Sequence, residues 1–282
     1  MLDLRQHLFY FIAIFLMLGV GMLVGASFYG PAQVRQQQKS LAHLRVQVDG
    51  AVQQGRDAKD LLAKNEAALD SLRLPLVHGL LSGKRIVLVQ TGDSADAAQE
   101  AATALRDAGA TPAATVVLGS GWAGLEPGGR ADSLANLAAI LSAGASAPSR
   151  AGSLQTLEDQ GLLVVTGSLD APCSLFVLVG GTRQDSGVDN APQAALETAL
   201  ARGLQAEAGA SARLVGCEEY GADTSSVPAF QQAAVSTVDC IDRPLGKLDL
   251  PFALLGGASA GDYGLKATAR SQVPLLGKPS GP

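Results

Sequence analysis

The chain has 282 residues, a formal net charge of −5 and only 4% aromatic residues. No dense Lys/Arg cluster accompanies the acidic balance, which excludes an electrostatic footprint for nucleic acid. Three cysteines (Cys173, Cys217, Cys240) without CxxC spacing make neither a disulfide framework nor a zinc site.

The first element is an uncharged run from Leu8 to Phe28 behind a short tail, residues 1–7, that carries Arg5. Its length matches the roughly 20 apolar residues that cross a ~30 Å hydrocarbon core, so a single transmembrane helix over 8–28 is expected. The alternative is a cleavable secretory signal, although signal h-regions typically hold only about 7–15 residues. Gly21 and Gly25 form a small-xxx-small pair that allows close helix approach in lipid. Flanking charges do not settle orientation, because long domains translocate largely regardless of them. The simpler topology keeps the short tail inside and the bulk of the chain extracytoplasmic.

Residues 30–74 carry a seven-residue apolar repeat. Positions a are Val34, Leu41, Val48, Gly55, Leu62 and Leu69; positions d are Gln37, Leu44, Ala51, Ala58, Asn65 and Leu72. This spacing predicts a coiled-coil stalk that projects on the order of 60 Å, most simply a parallel homodimer because both anchors share one membrane. Its dimer seam is Val34, Leu41, Leu44, Val48, Leu62, Leu69 and Leu72. Gly55 and Ala58 weaken its middle, and Pro75 is expected to end the helix. The other solution for such a helix is to fold back on the remainder of the chain.

From residue 79 to 270 short apolar strands alternate with helical stretches, the pattern of a parallel sheet covered on both faces. Strands are expected at 85–90, 113–118, 174–179, 212–217 and 235–239, with a further short one at 162–166. Helices are expected near 95–108, 130–143, 193–204, 228–234 and 245–255. The fold class is therefore α/β, with a doubly wound, mostly parallel, flavodoxin-like or Rossmann-like head. The stretches 142–152 and 184–192 are expected as surface loops, and 271–282 as a flexible tail.

Every histidine (His7, His43, His78) and every methionine precedes Lys84, which rules out histidine-dependent catalysis in the head. Gly257-Ala-Ser259-Ala-Gly261 fits GxSxG, but no later histidine supplies a base. Gly119-Ser-Gly121-Trp-Ala-Gly124 fits GxGxxG and follows a strand. Pro127-Gly128-Gly129 is expected to delay the next helix, and no acidic residue stands about 20 positions on, so a loop is expected rather than a dinucleotide site. The chain is expected not to be an enzyme.

Doubly wound folds bind ligands at the carboxyl edge of the sheet. The polar candidates there are Thr91, Gly180, Gly181, Asp239, Asp242 and Tyr263. Asp242 is expected to cap the helix that has Pro244 in its first turn, and Asp239 to accept backbone hydrogen bonds. Cys217 and Cys240 end neighbouring strands and are the candidate metal pair, although buried thiols are more commonly structural.

Five segments together resemble the bacterial copper transporter MctB family: Asp3-Leu-Arg-Gln-His7 with its apolar run, Gly79-Leu-Leu-Ser-Gly-Lys-Arg85, Leu178-Val-Gly-Gly181, Ser236-Thr-Val-Asp239 and Asp262-Tyr-Gly-Leu-Lys266. The resemblance runs over nearly the whole chain and implies a single-pass envelope protein linked to copper export or tolerance. Other members resemble septal assembly factors that work with a membrane partner controlling peptidoglycan hydrolysis. Cys240 departs from the acidic or polar residue that the family pattern has after Val-Asp. Copper is the one cofactor implied, and the implied partners are the membrane, a second copy and an envelope membrane protein. A lone apolar helix without ionisable groups offers no conduction path, so an accessory role is expected in preference to a pore.

Overall fold

A computed structural model describes residues 4–183, 191–209, 212–256 and 261–274, and within them all side chains except those of 4–6, 26–38, 123 and 191. The chain divides into two compact units, Met1–Lys64 and Asn65–Pro282.

The first unit is helical, part of α1 (Leu4–Val77). Within it, His7–Gly25 is the one described helix segment long and apolar enough to cross a membrane; by the same test it could be a signal sequence. Its apolar side chains are exposed throughout, as are Leu41, Leu44, Val48 and Leu62 farther along. Nothing lies within 4 Å of where a Cβ would sit on Gly21, Gly25 or Gly55. Of the expected seam, the side chain of Val34 lies outside the described residues.

The second unit opens with the end of α1. Arg73 is buried there, pairing with Asp70 and Asp107, and Val77 is fully buried in the core. Leu69 and Leu72 remain exposed. Pro75 does not end the helix, which continues to Val77. Proline deletes a single donor, while the His78 N–H still bonds the Leu74 carbonyl and buried Val77 holds the last turn in place.

The head is a seven-stranded sheet made of β1 (Arg85–Gln90), β2 (Thr111–Leu118), β3 (Leu163–Gly167), β4 (Leu175–Val179), β5 (Arg213–Cys217), β6 (Ser236–Val238) and β7 (Asp262–Tyr263), in the order β3-β2-β1-β4-β5-β6-β7. All pairings are parallel except β2 with β3. The five expected main strands give the flavodoxin-like core of this order, β2-β1-β4-β5-β6, and the expected extra strand is the antiparallel edge β3.

Successive residues of β1 and β4 serve opposite faces, which is why both strands read as continuous apolar runs. Ile86, Leu88, Val177 and Val179 pack under α2 (Ala95–Asp107) and α7 (Pro244–Leu255). Val87, Val89, Phe176 and Leu178 pack under α3 (Pro127–Ala143), α5 (Ala191–Ala208) and α6 (Val227–Gln232).

Two local expectations fail. The stretch 142–152 is not a loop: α3 continues to Ala143, and α4 (Pro148–Asp159) begins four residues before the stretch ends. Pro148 at the first helical position fixes φ for that start, but only Leu157 of α4 is buried, so no apolar stripe announces the helix. Pro127 likewise starts α3 rather than delaying it, with Gly128 and Gly129 in its first turn. Residues 184–190 of the second expected loop, 257–260 of the GxSxG match and 275–282 of the tail lie outside the described residues.

Candidate functional site: the carboxyl edge of the sheet

The loops that leave β1, β4, β5 and β6 meet at one end of the sheet, where three buried carboxylates organise them. Glu197 comes from α5 and is 1% exposed. Its Oε1 accepts from the hydroxyls of Thr91 and Ser226, each at 2.7 Å, and from the Gln193 amide at 3.3 Å. Burial raises its pKa, and those three donors oppose the rise.

Glu218 follows β5 and is fully buried. It accepts from the Ser225 hydroxyl at 2.7 Å, from the Ser226 backbone N–H at 2.7 Å and from Lys266 Nζ at 2.5 Å. Lys266 also donates to the Glu219 carbonyl. Glu219 receives both Nε and Nη2 of Arg183 at 2.5 Å and the Ser94 hydroxyl at 3.2 Å. The guanidinium beside it holds Glu219 below the usual carboxylate range.

Ser226 joins the first two clusters. Its hydroxyl donates to Glu197 and accepts from the Gly181 N–H at 2.8 Å, while its own N–H goes to Glu218. Gly180 must be glycine, because a Cβ there would lie 2.4 Å from the Ser226 Cβ. Across the β1–β4 gap, a Cβ on Gly92 would lie 2.0 Å from the Gly181 carbonyl oxygen. At the point where strand order reverses, the usual ligand crevice of a doubly wound sheet, the β1 and β4 loops therefore pack directly on each other.

Two open clefts lie against these loops. One, of about 400 Å³, is lined by Asp96, Glu100, Arg183, Glu219 and Asp242 among others. The second, of about 410 Å³, lies against Thr91, Asp93, Ser120, Trp122, Gln193 and Leu196. The GxGxxG segment beside it forms a 3₁₀ turn over Ser120–Gly124, and the buried Trp122 indole donates to the Leu162 carbonyl at 2.7 Å. That is a packed turn rather than a loose loop.

Thr91, Gly180 and Gly181 meet around Ser226 and Glu197. Asp239 accepts from the N–H groups of Leu265 at 2.7 Å and Lys266 at 3.0 Å, the backbone role expected of it. Asp242 does not cap α7, whose N-cap is Arg243 with no side-chain cap bond. Instead its Oδ1 accepts from the Tyr220 N–H at 2.6 Å, and its other oxygen pairs with Arg243 Nε. The β5 loop reaches this carboxylate first, which leaves Pro244 alone to start the helix. Tyr263 lies in β7 and packs against the apolar cluster under α2 and α7.

Cys217 and Cys240 are free and fully buried, and burial raises both thiols. Among the described residues, no three or more His, Cys, Asp or Glu side chains are grouped to hold a metal. Sequence reasoning overlooked Glu197, Glu218, Glu219, Ser226 and Arg183, and quoted Lys266 only as part of its segment. Glu197 could have been found, since it shares the buried face of α5 with Ala201 and Leu204 at helical spacing.

The architecture defines a class of protein: a long N-terminal helix that begins with an apolar segment, and a doubly wound, mostly parallel α/β unit. The chain belongs to the MctB family, described as copper transport outer membrane protein, whose model matches residues 1–148 and 123–274. Copper transporters MctB of Mycobacterium bovis and Mycobacterium tuberculosis are each 29% identical to it over 100 residues, 34% of this chain. The match spans about a third of the length of those relatives, 31%.

Proposed function

We propose that the protein is a non-enzymatic, membrane-anchored component of copper handling in the cell envelope that acts as a dimeric accessory scaffold rather than as a pore. The observation that supports an accessory role is the hydrogen-bonded packing of Thr91, Ser226 and Glu197 at the β1–β4 end of the sheet, together with the lack, among the described residues, of any group of three or more His, Cys, Asp or Glu side chains that could hold a metal. Exposed leucines along α1 supply the surface for self-association. The apolar segment His7–Gly25 serves as the anchor, with the head outside the cytoplasm.

Complementation of a strain lacking the gene tests this. Replacing Leu41, Leu44 and Leu62 with Asp should abolish copper tolerance, while Cys217→Ser with Cys240→Ser should retain it. Loss of tolerance only with the cysteine variants would replace the scaffold by direct copper carriage. The exposed helix face equally suits a scaffold for envelope or septum assembly that regulates peptidoglycan hydrolysis through a partner. That second role would appear as a division defect, without copper sensitivity, in the seam variant.

A further inference from the structure

The carboxyl edge leaves one cation unused. Arg130, in the first turn of α3, lines a recess of about 70 Å³ together with Trp122, Pro192, Gln193 and Leu196. Trp122, Gln193 and Leu196 also line the cleft of about 410 Å³, so recess and cleft share a wall. Its guanidinium gives Nη2 to the Leu125 carbonyl at 3.1 Å, while Nε is buried without a partner. No carboxylate among the described residues pairs with it. Arg183, beside the other cleft, is by contrast already held by Glu219 and Asp96.

The larger cleft presents hydrogen-bonding groups of a different kind. Asp93 spends Oδ1 on the Arg183 N–H at 3.0 Å, and the hydroxyls of Ser120 and Thr182 have no partner among the described residues. Thr91 and Gln193 are committed elsewhere, the first to Glu197 and the second to the Thr91 carbonyl, so they hold the wall in place. Leu118 and Leu196 make its apolar part.

We propose that recess and cleft together bind a small hydroxylated organic anion, of the sugar-phosphate or sugar-acid kind, with its anionic group against Arg130 and its hydroxyls on Asp93, Ser120 and Thr182. A buried donor without an acceptor is costly, and the N–H fork of arginine matches a carboxylate or phosphate. The recess has room for such a group and little more, since a water takes about 30 Å³ of liquid. The cleft falls within the roughly 300–1,000 Å³ of small-molecule sites. Arg130 also stands at the positive end of a 17-residue helix with no acidic residue in its first turn and no side-chain bond from its N-cap, Glu126, which favours the same charge. A neutral sugar makes no use of Arg130, and free phosphate makes no use of the cleft. The inference rests neither on copper handling nor on dimer formation.

Trp122 is the sole tryptophan of the chain, so its fluorescence reports on this wall alone. The test titrates the full chain in detergent, at constant ionic strength, with glucose 6-phosphate, glucuronate, glucose and inorganic phosphate. At least one of the two organic anions should change the emission with a Kd tenfold or more below those of glucose and phosphate. Arg130→Gln should remove that advantage while the thermal midpoint stays unchanged. Ser120→Leu, at an exposed position that lines the larger cleft, should weaken the organic anion and leave phosphate as it was. No response to either organic anion, phosphate as tight as both, or full binding in the two variants would each overturn the site; the first two outcomes need no variant to fold.

Discussion

In the unit ending at Lys64, apolar side chains such as Leu41, Leu44 and Leu62 are exposed; at the carboxyl edge of the head, the polar side chains Glu197, Glu218 and Ser226 are buried and hydrogen-bonded to one another's loops. Each inverts the usual rule that apolar groups lie inside and buried polar groups are rare. The difference locates what the molecule needs from outside. Exposed leucines on one helix call for lipid or another helix, whereas the buried carboxylates Glu197 and Glu218 find their donors within the head.

The sharpest way to break this contrast is at the seam. Asp at Leu41, Leu44 and Leu62 should convert a dimer into a monomer by light scattering in detergent. Burying three leucines contributes about 5 kcal/mol, more than a thousandfold in Kd. A monomer in the unaltered protein at tens of micromolar would remove the need for a partner helix.

Within the head, Gly264→Ala should be the most damaging small change. Its φ is +136°, and a Cβ would lie 1.9 Å from the Asp239 carboxylate. Strain plus overpacking should cost about 2–5 kcal/mol, read from urea denaturation. Glu197→Ala comes next, at about 2–3 kcal/mol, because it removes the shared acceptor of the Thr91 and Ser226 hydroxyls. Glu197→Gln should recover part of this loss by keeping one acceptor oxygen; equal losses would show that shape, not hydrogen bonding, closes the edge.

The smallest effects separate competing roles. Asp242→Ala should cost about 1 kcal/mol through the Tyr220 N–H, with Asp242→Asn near neutral and the start of α7 unchanged by NMR. Gly55→Leu should raise the helix melting temperature, because glycine costs about 1 kcal/mol in a helix interior.

The strand skeleton was legible because β1, β2, β4 and β5 are bounded apolar runs, and parallel strands buried on two faces have to be. Helix α4 was not, because only Leu157 is fully buried, with Leu154 partly so, and its other residues are mostly small or polar. The candidate edge was half legible. Thr91, Gly180, Gly181 and Asp239 stand at strand ends where topology alone places them. Glu197 and Ser226 arrive from helix starts and faces far off in sequence, and pairing them requires the fold. Asp242 misled because its position before Pro244 satisfies a local rule, while the Tyr220 N–H, distant in sequence, claims its oxygen.

The belt that closes the edge also dates itself during synthesis. Strands β1, β2 and β3 can pair as soon as residue 167 has emerged, but Glu218 waits for Lys266, and Asp239 for the Leu265 and Lys266 amides. Late, sequence-distant closures of this kind follow the formation of earlier units as the chain lengthens. The final dozen or so described residues thus supply the last hydrogen bonds of this edge. A chain that stops short of Asp262 carries the β5–β6 carboxylates uncovered, and pulse proteolysis should cut it there while sparing β1–β3.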